Sequence, residues 1–152
     1  MNKLVDDLTQ ARKSIIDAVS KLTSNKQNVQ LAGDWNLKDL IAHLTGWADY
    51  QIEIIKAIRS NSTPPEPGRI DDFNQKSTAA RKKTSWKKVY DEWLKASQEL
   101  IEEYDSLRDA LWGKPLWKNK KTTLEKLIKI EIRHYQKTHL PQIEKLLKSA
   151  EV

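Results

Sequence analysis

The sequence predicts an all-α chain folded as a four-helix bundle, and three observations carry that expectation. Four long stretches repeat apolar residues at three- and four-residue steps, the period of one helix face. No stretch alternates apolar and polar residues between hairpin turns. Capping and breaking residues fall between the four stretches, with one exception at Pro141. A length of 152 residues suits one domain, 1–152, with a substantial core.

The first helix is expected over 2–23, where Leu4, Leu8, Ala11, Ile15, Ala18 and Leu22 share a face, with Ser24 to Asn28 ending it. The second runs from Asn36 to about Arg59. Asn36 is placed to accept the backbone N–H of Asp39 while Asp39 reaches back, a capping box, and Asp34 and Asp39 suit the positive end of the helix dipole. Leu37, Leu40, Leu44, Trp47, Ile54 and Ile58 form its stripe, with His43 and Tyr50 within it or at its edge. His43 is therefore expected to face inward.

Asn61 to Gly68, with adjacent Pro64 and Pro65, cannot continue that helix, and a short helical piece is expected over 72–83. A third helix starts near Ser85 and carries Trp86, Tyr90, Trp93, Ser97, Leu100, Tyr104, Leu107 and Leu111, until Gly113 and Pro115 stop it. Thr122-Thr123-Leu124-Glu125 reads as a capping box opening the fourth, whose stripe is Leu124, Ile128, Ile132, Tyr135, His139, Ile143 and Leu146. Pro141 lies inside this last helix and should bend it just past His139.

The connection over 60–85 is far longer than an antiparallel neighbour needs, so helices two and three are expected to run parallel through a crossover. With helix four antiparallel to both, the starts of two and three and the end of four share one end of the bundle. At about 1.5 Å per residue, His43, Tyr90, Trp93 and His139 reach similar depths there. At about 100° per residue, Tyr135 lies about 40° from His139, whereas His134 lies about 140° away and should face outward.

The chain carries 27 Lys and Arg against 21 Asp and Glu, a formal charge of +6. Basic side chains release counterions from phosphate, which raises nucleic acid as a partner. Here bases and acids interleave, and the denser groups, Arg81-Lys82-Lys83 with Lys87-Lys88 and 114–121, fall near helix ends and loops. A solvated surface is the plainer reading, and nucleic acid is not the expected partner. Without cysteine there is no disulfide, thiolate nucleophile or Cys-ligated metal, so thiol chemistry needs a cosubstrate. Neither an apolar run of membrane length nor a leader-like start is present, so a cytoplasmic protein, monomer or homodimer, is expected.

Gly-rich phosphate loops, serine elbows and HExxH pairs are absent from the sequence. His43 and His139, expected to meet, are the leading candidates for chemistry. A divalent metal held by both needs a third donor, from Tyr135, Glu131 or Asp39. Six tryptophans against a single Phe73 supply walls for a small-molecule pocket as well as core.

The stretch Trp35-Asn36-Leu37-Lys38-Asp39-Leu40-Ile41-Ala42-His43-Leu44-Thr45-Gly46-Trp47 resembles the helix-two signature of the DinB/YfiT-like four-helix-bundle superfamily. His134 to Ile143 is similar to its C-terminal histidine segment. Pro64-Pro65-Glu66-Pro67, Asp72-Phe73-Asn74 and Ser85-Trp86 look most like the ClbS/DfsB branch. The resemblance implies an up-down-down-up bundle, in many members a three-histidine site for a metal such as Zn or Ni, and in some a thiol-dependent transferase or isomerase activity. His43 and His139 match two ligand positions, and the third, four residues before His139, is Tyr135 here. The branch implies protection against a DNA-damaging electrophile by hydrolysis or sequestration.

The resulting expectation is a pocket that binds, and in one form hydrolyses, a small reactive molecule. His43 or His139 would serve as general base and Tyr135 as donor to the developing anion, with Trp47, Tyr50, Tyr90 and Trp93 lining the pocket. The alternatives are a divalent-metal site at His43 and His139, and a basic interaction module without catalysis.

Overall fold

A computed structural model describes residues 2–22, 29–32 and 35–149. The expected helix-ending segment at 24–28 and Asp34 lie outside the described residues. The described chain is all-α apart from one short ribbon. Its elements are α1 (Asn2–Ser20), β1 (Gln30–Ala32), β2 (Trp35–Asn36), α2 (Leu37–Arg59), α3 (Ile70–Ala79), α4 (Trp86–Asp105), α5 (Asp109–Trp112), α6 (Leu124–Arg133), a π-helical turn (His134–His139) and α7 (Leu140–Ser149). No described helix is long and apolar enough to cross a membrane.

The ribbon is a correction to the strand-free reading. β1 pairs antiparallel with β2, Gln30 opposite Asn36 and Ala32 opposite Trp35. Strands of three and two residues are too short to show a two-residue period, so the pattern was silent. The capping box at Asn36 forms as the sequence requires: Asn36 Oδ1 accepts from Asp39 N at 2.9 Å, and Asp39 Oδ2 accepts from Asn36 N at 3.2 Å. The cap fixes where the ribbon ends and the helix starts.

α2 and α4 run in the same direction. At their starts Lys38 Nζ donates to the carbonyls of Lys82 and Thr84 at 2.8 and 3.0 Å. At their ends Arg59 binds the Glu103 carboxylate, the Glu103 carbonyl at 2.9 Å and Ser106 Oγ at 2.7 Å. That clasp also explains why α4 stops at Asp105 although the apolar spacing runs on to Leu111. Ser106 Oγ turns back onto the Glu102 carbonyl at 3.0 Å and Arg59 holds the Glu103 carbonyl, so the last turn is satisfied from outside.

The crossover between them folds onto α2. α3 covers 70–79 rather than 72–83, and it docks at Gly46, where a Cβ would collide with Ser77 Oγ and stand 2.8 Å from Ser77 Cβ. Only a residue without a side chain permits that approach. α1 crosses to α4 through Arg12, whose Nε donates to Ser97 Oγ at 2.6 Å and Nη2 to the Leu94 carbonyl at 2.9 Å.

The expected fourth helix starts one residue later than the Thr122 box implies, because Thr123 Oγ1 takes the Lys126 N–H at 3.2 Å. It is then interrupted. Leu140 N bonds to the Tyr135 carbonyl, five residues back. Pro141 supplies the reason: it has no N–H for the ladder, and its ring would crowd the carbonyl four residues earlier, so the turn before it widens. Buried side chains of α1, α2, α4, α6 and α7, from Leu8 and Ile15 to Ile54, Leu100, Ile128 and Ile143, form one cluster. Each such aliphatic contributes about 1.5–3 kcal/mol on burial.

Candidate functional site

The π-helical turn changes which side chains share a face. In an i to i+5 register, residues five apart come closer to alignment, so the exposed His134 ring is turned toward the buried His139. The His134 and His139 rings lie 5.9 Å apart, centroid to centroid, and His139 meets His43 at 5.3 Å with the planes at 69°. His134 remains exposed. It faces outward as the helical spacing predicts, and the register adds an edge contact with His139 that the spacing did not show.

His43 and His139 are 6% and 5% exposed. Burial, reinforced by the other imidazoles, drives His43 down to about 3, while a side-chain hydrogen bond to Asn74 works the other way. Burial likewise lowers His139 to about 4, with Gln142 opposing and His134 assisting. Both rings are neutral at pH 7. His139 Nδ1 lies 3.1 Å from Gln142 Oε1, so with the amide oxygen as acceptor Nδ1 carries the proton and Nε2 keeps its lone pair. His43 Nδ1 is buried with no hydrogen-bond partner. Trp35, held on β2, places its ring 4.9 Å from His43 and covers it.

The other expected site residues divide into two further groups. Trp47 and Tyr50 belong to the crossover: Trp47 packs on Phe73 at 4.4 Å and donates Nε1–H to Asn74 Oδ1 at 2.8 Å. Tyr50 donates to the Pro65 carbonyl at 2.5 Å, and burial raises its hydroxyl to about 12. Asn74 joins this group to the histidines, since it also influences His43.

Tyr90, Trp93 and Tyr135 form an internal aromatic layer. Tyr90 stacks between Trp86 at 5.2 Å and Trp93 at 6.0 Å, and Trp93 Nε1 donates to Tyr135 Oη at 3.3 Å. Trp93 and Tyr135 are 0% and 1% exposed. Burial, then Glu131, raises the Tyr135 hydroxyl. Behind this layer Glu131 accepts from Gln51 Nε2, and Gln51 Oε1 accepts from Tyr104 Oη at 2.7 Å. Burial lifts Glu131 to about 7. The Gln51–Tyr104–Glu131 chain went unread because Gln51 and Glu131 occupy seam positions otherwise filled by apolar residues.

Among the described residues no three His, Cys, Asp or Glu side chains are arranged to hold a metal ion. Tyr135, at the third ligand position of the resemblance, is committed to Trp93, and the orphaned Nδ1 of His43 is a single donor. As placed, this donor set does not fit a divalent ion.

No curated protein and no solved structure matches this chain. Residues 7–143 match the family model of the DinB superfamily. That span holds the capped helix with His43 and the π-helical turn with His139, and by it the chain belongs to the DinB superfamily.

Proposed function

We propose that this protein binds a small molecule at the His43–His139 end of the fold, with uncharged imidazoles as its polar contacts. The observation that carries this reading is the orphaned Nδ1 of His43. A buried polar atom without a partner costs about 1–3 kcal/mol. A ligand that hydrogen-bonds there removes that penalty and gains affinity from it.

The same chemistry ranks the possible actions. A general base works best with a pKa near the working pH. Imidazoles at about 3 and about 4 are weak bases at pH 7, so capture and orientation of the ligand come first and activation of water second. Trp35 stands against His43 at this end, its ring 4.9 Å away. Tyr135 acts from the layer beneath, as a support for Trp93.

Membership of the ClbS/DfsB branch is the finer assignment we favour, with an up-down-down-up bundle and a protective role against an electrophile. Its support is that the residues carrying the resemblance make specific bonds: Asn74 to Trp47, the Pro65 carbonyl to Tyr50 and the Pro64 carbonyl to Trp117. The parallel run of α2 and α4 supports the topology.

Trapping and turnover of a panel of epoxides and activated esters by the wild type, His43→Ala and His139→Ala tests the reading. Each variant is expected to lose about tenfold or more, the scale of one buried hydrogen bond to ligand. Equal binding and turnover in all three proteins would refute the placement.

A further inference from the structure

The sequence singles out two basic groups, and the fold treats them differently. In the first, Arg81 pairs with Glu92 at 3.1 Å and Asp49 at 3.7 Å, Lys82 with Asp39 at 3.9 Å and Lys87 with Asp91 at 2.8 Å. Three of its five cations are thus answered within the chain, and among the described residues none of the five lines a cleft with a buried base. The second, on the loop after α5, lines an open cleft of about 420 Å³ between that loop and the segment following α2. This volume is in the range of small-molecule sites.

Three hydrogen bonds stitch the cleft's two walls together. Lys114 Nζ donates to Asn61 Oδ1 at 3.1 Å, Trp117 Nε1 to the Pro64 carbonyl at 2.7 Å and Lys120 Nζ to Glu66 Oε1 at 2.5 Å. Leu116 N, bonded to the Thr122 carbonyl at 3.0 Å, closes the loop on itself. Asn61 and Asn119, on opposite walls, both hold left-handed backbone, with φ of 56° and 64°. Asparagine takes this region more readily than other non-glycine residues, and here it turns the chain on each wall where the hydrogen bonds hold it. The walls are thus set before anything binds.

The lining has the composition of an anion site with an apolar base. Ile58 and Leu116 are 4% and 3% exposed and form the floor. The hydroxyl residues Ser62 and Thr63 stand on one wall, and Lys114 and Lys118 on the other. Glu66 answers Lys120. Among the described residues Lys114 has only the neutral Asn61 amide, and Lys118 has no acidic partner, which leaves two lysines of the lining without a carboxylate, beside half-buried Trp117.

We infer that this cleft is a second ligand site, which takes a small organic phosphate monoester, its dianion between Lys114 and Lys118 and its apolar body on Ile58, Leu116 and the edge of Trp117. Two ammonium groups match the charge of a phosphomonoester. The apolar floor separates that ligand from free phosphate. The site lies apart from His43, so it stands whether or not the histidine reading holds.

The test is titration of the intact protein with phenyl phosphate, followed through the Trp117 indole N–H resonance, with inorganic phosphate and a single-stranded oligonucleotide as comparison probes. Phenyl phosphate is expected to saturate with a Kd at or below about 1 mM. Inorganic phosphate should bind at least about tenfold more weakly, and Lys114→Gln with Lys118→Gln should weaken phenyl phosphate about tenfold or more while His43→Ala leaves it unchanged. Absence of saturation, or equal binding by the lysine variant, would overturn the inference. Oligonucleotide binding that tightens with length and exceeds phenyl phosphate would overturn it too, in favour of a nucleic-acid surface.

Discussion

His43 and His139 meet edge to face with ring centroids 5.3 Å apart, across the junction between the start of α2 and the π-helical turn. Two imidazoles in that contact cannot both carry charge at little cost. Burial first, then the neighbouring imidazoles, His139 for His43 and His134 for His139, keep them neutral, and this neutrality has measurable consequences.

The first is acid sensitivity. The folded values of about 3 and about 4 lie below the ordinary 6.5. Below pH 6.5 the unfolded chain takes up protons that the folded chain refuses, so stability falls as pH drops toward 4. The loss from pH 6.5 to 5 is at most about 2 kcal/mol per imidazole, at about 1.4 kcal/mol per pH unit. His43→Gln and His139→Gln should each remove about that much of the acid slope, read as urea midpoint against pH. An unchanged slope would show that these rings titrate as in the unfolded chain.

Glu131 works in the opposite sense. Its carboxyl, raised to about 7 from 4.5, binds a proton in the folded chain that the unfolded chain has lost, so it removes stability as pH rises from 4.5 to 7. Glu131→Gln keeps an oxygen for the Gln51 amide to bond. It should stabilise the protein by about 1–3 kcal/mol at pH 8 and leave pH 4.5 nearly unchanged. Thermal melts at the two pH values decide the sign.

Trp35 is expected to control the histidine environment. Removing the ring that stands 4.9 Å from His43 admits water, and burial is the main cause of the lowered pKa. Trp35→Ala should raise the His43 value by about one unit or more toward 6.5, followed by NMR titration of the imidazole. A value that stays near 3 would mean that the core, not Trp35, keeps the ring dry.

The donor set sets an expectation for metal. Structural and catalytic zinc needs three or four converging protein ligands, and no three converge among the described residues. Protein purified without a histidine tag should carry well under one equivalent of zinc or nickel by elemental analysis. One equivalent, lost on His43→Ala, would require the rings to rearrange around an ion.

Much of the fold was legible because its signals are local. Asn36 and Asp39 announce a capped start, Pro64 and Pro65 end α2, and the 60–85 connection is long enough to return along the molecule. Tertiary effects hid the rest. Arg59 reaches from one helix to terminate another, which no spacing on α4 reveals. Pro141 was visible as a breaker, but the spacing did not show the register change it causes upstream, which brought His134 toward His139. Tyr90 and Trp93 are grouped with the histidines by depth, and Trp47, Tyr50 and Tyr135 by the helix stripe they share with them. Neither depth nor stripe fixes rotamer or partner, and the structure distributes them between the crossover and the internal aromatic layer.

The central claim, that neutral imidazoles at this junction receive a small ligand, is tested most directly by long-range ¹H–¹⁵N NMR of the histidine rings during titration with a library of small polar compounds. Compounds that bind are expected to shift the His43 Nδ1 signal first and His139 with it, at a pH where both rings are uncharged, and to lose their effect in His43→Ala. Binding that leaves both rings unperturbed and survives that substitution would contradict it.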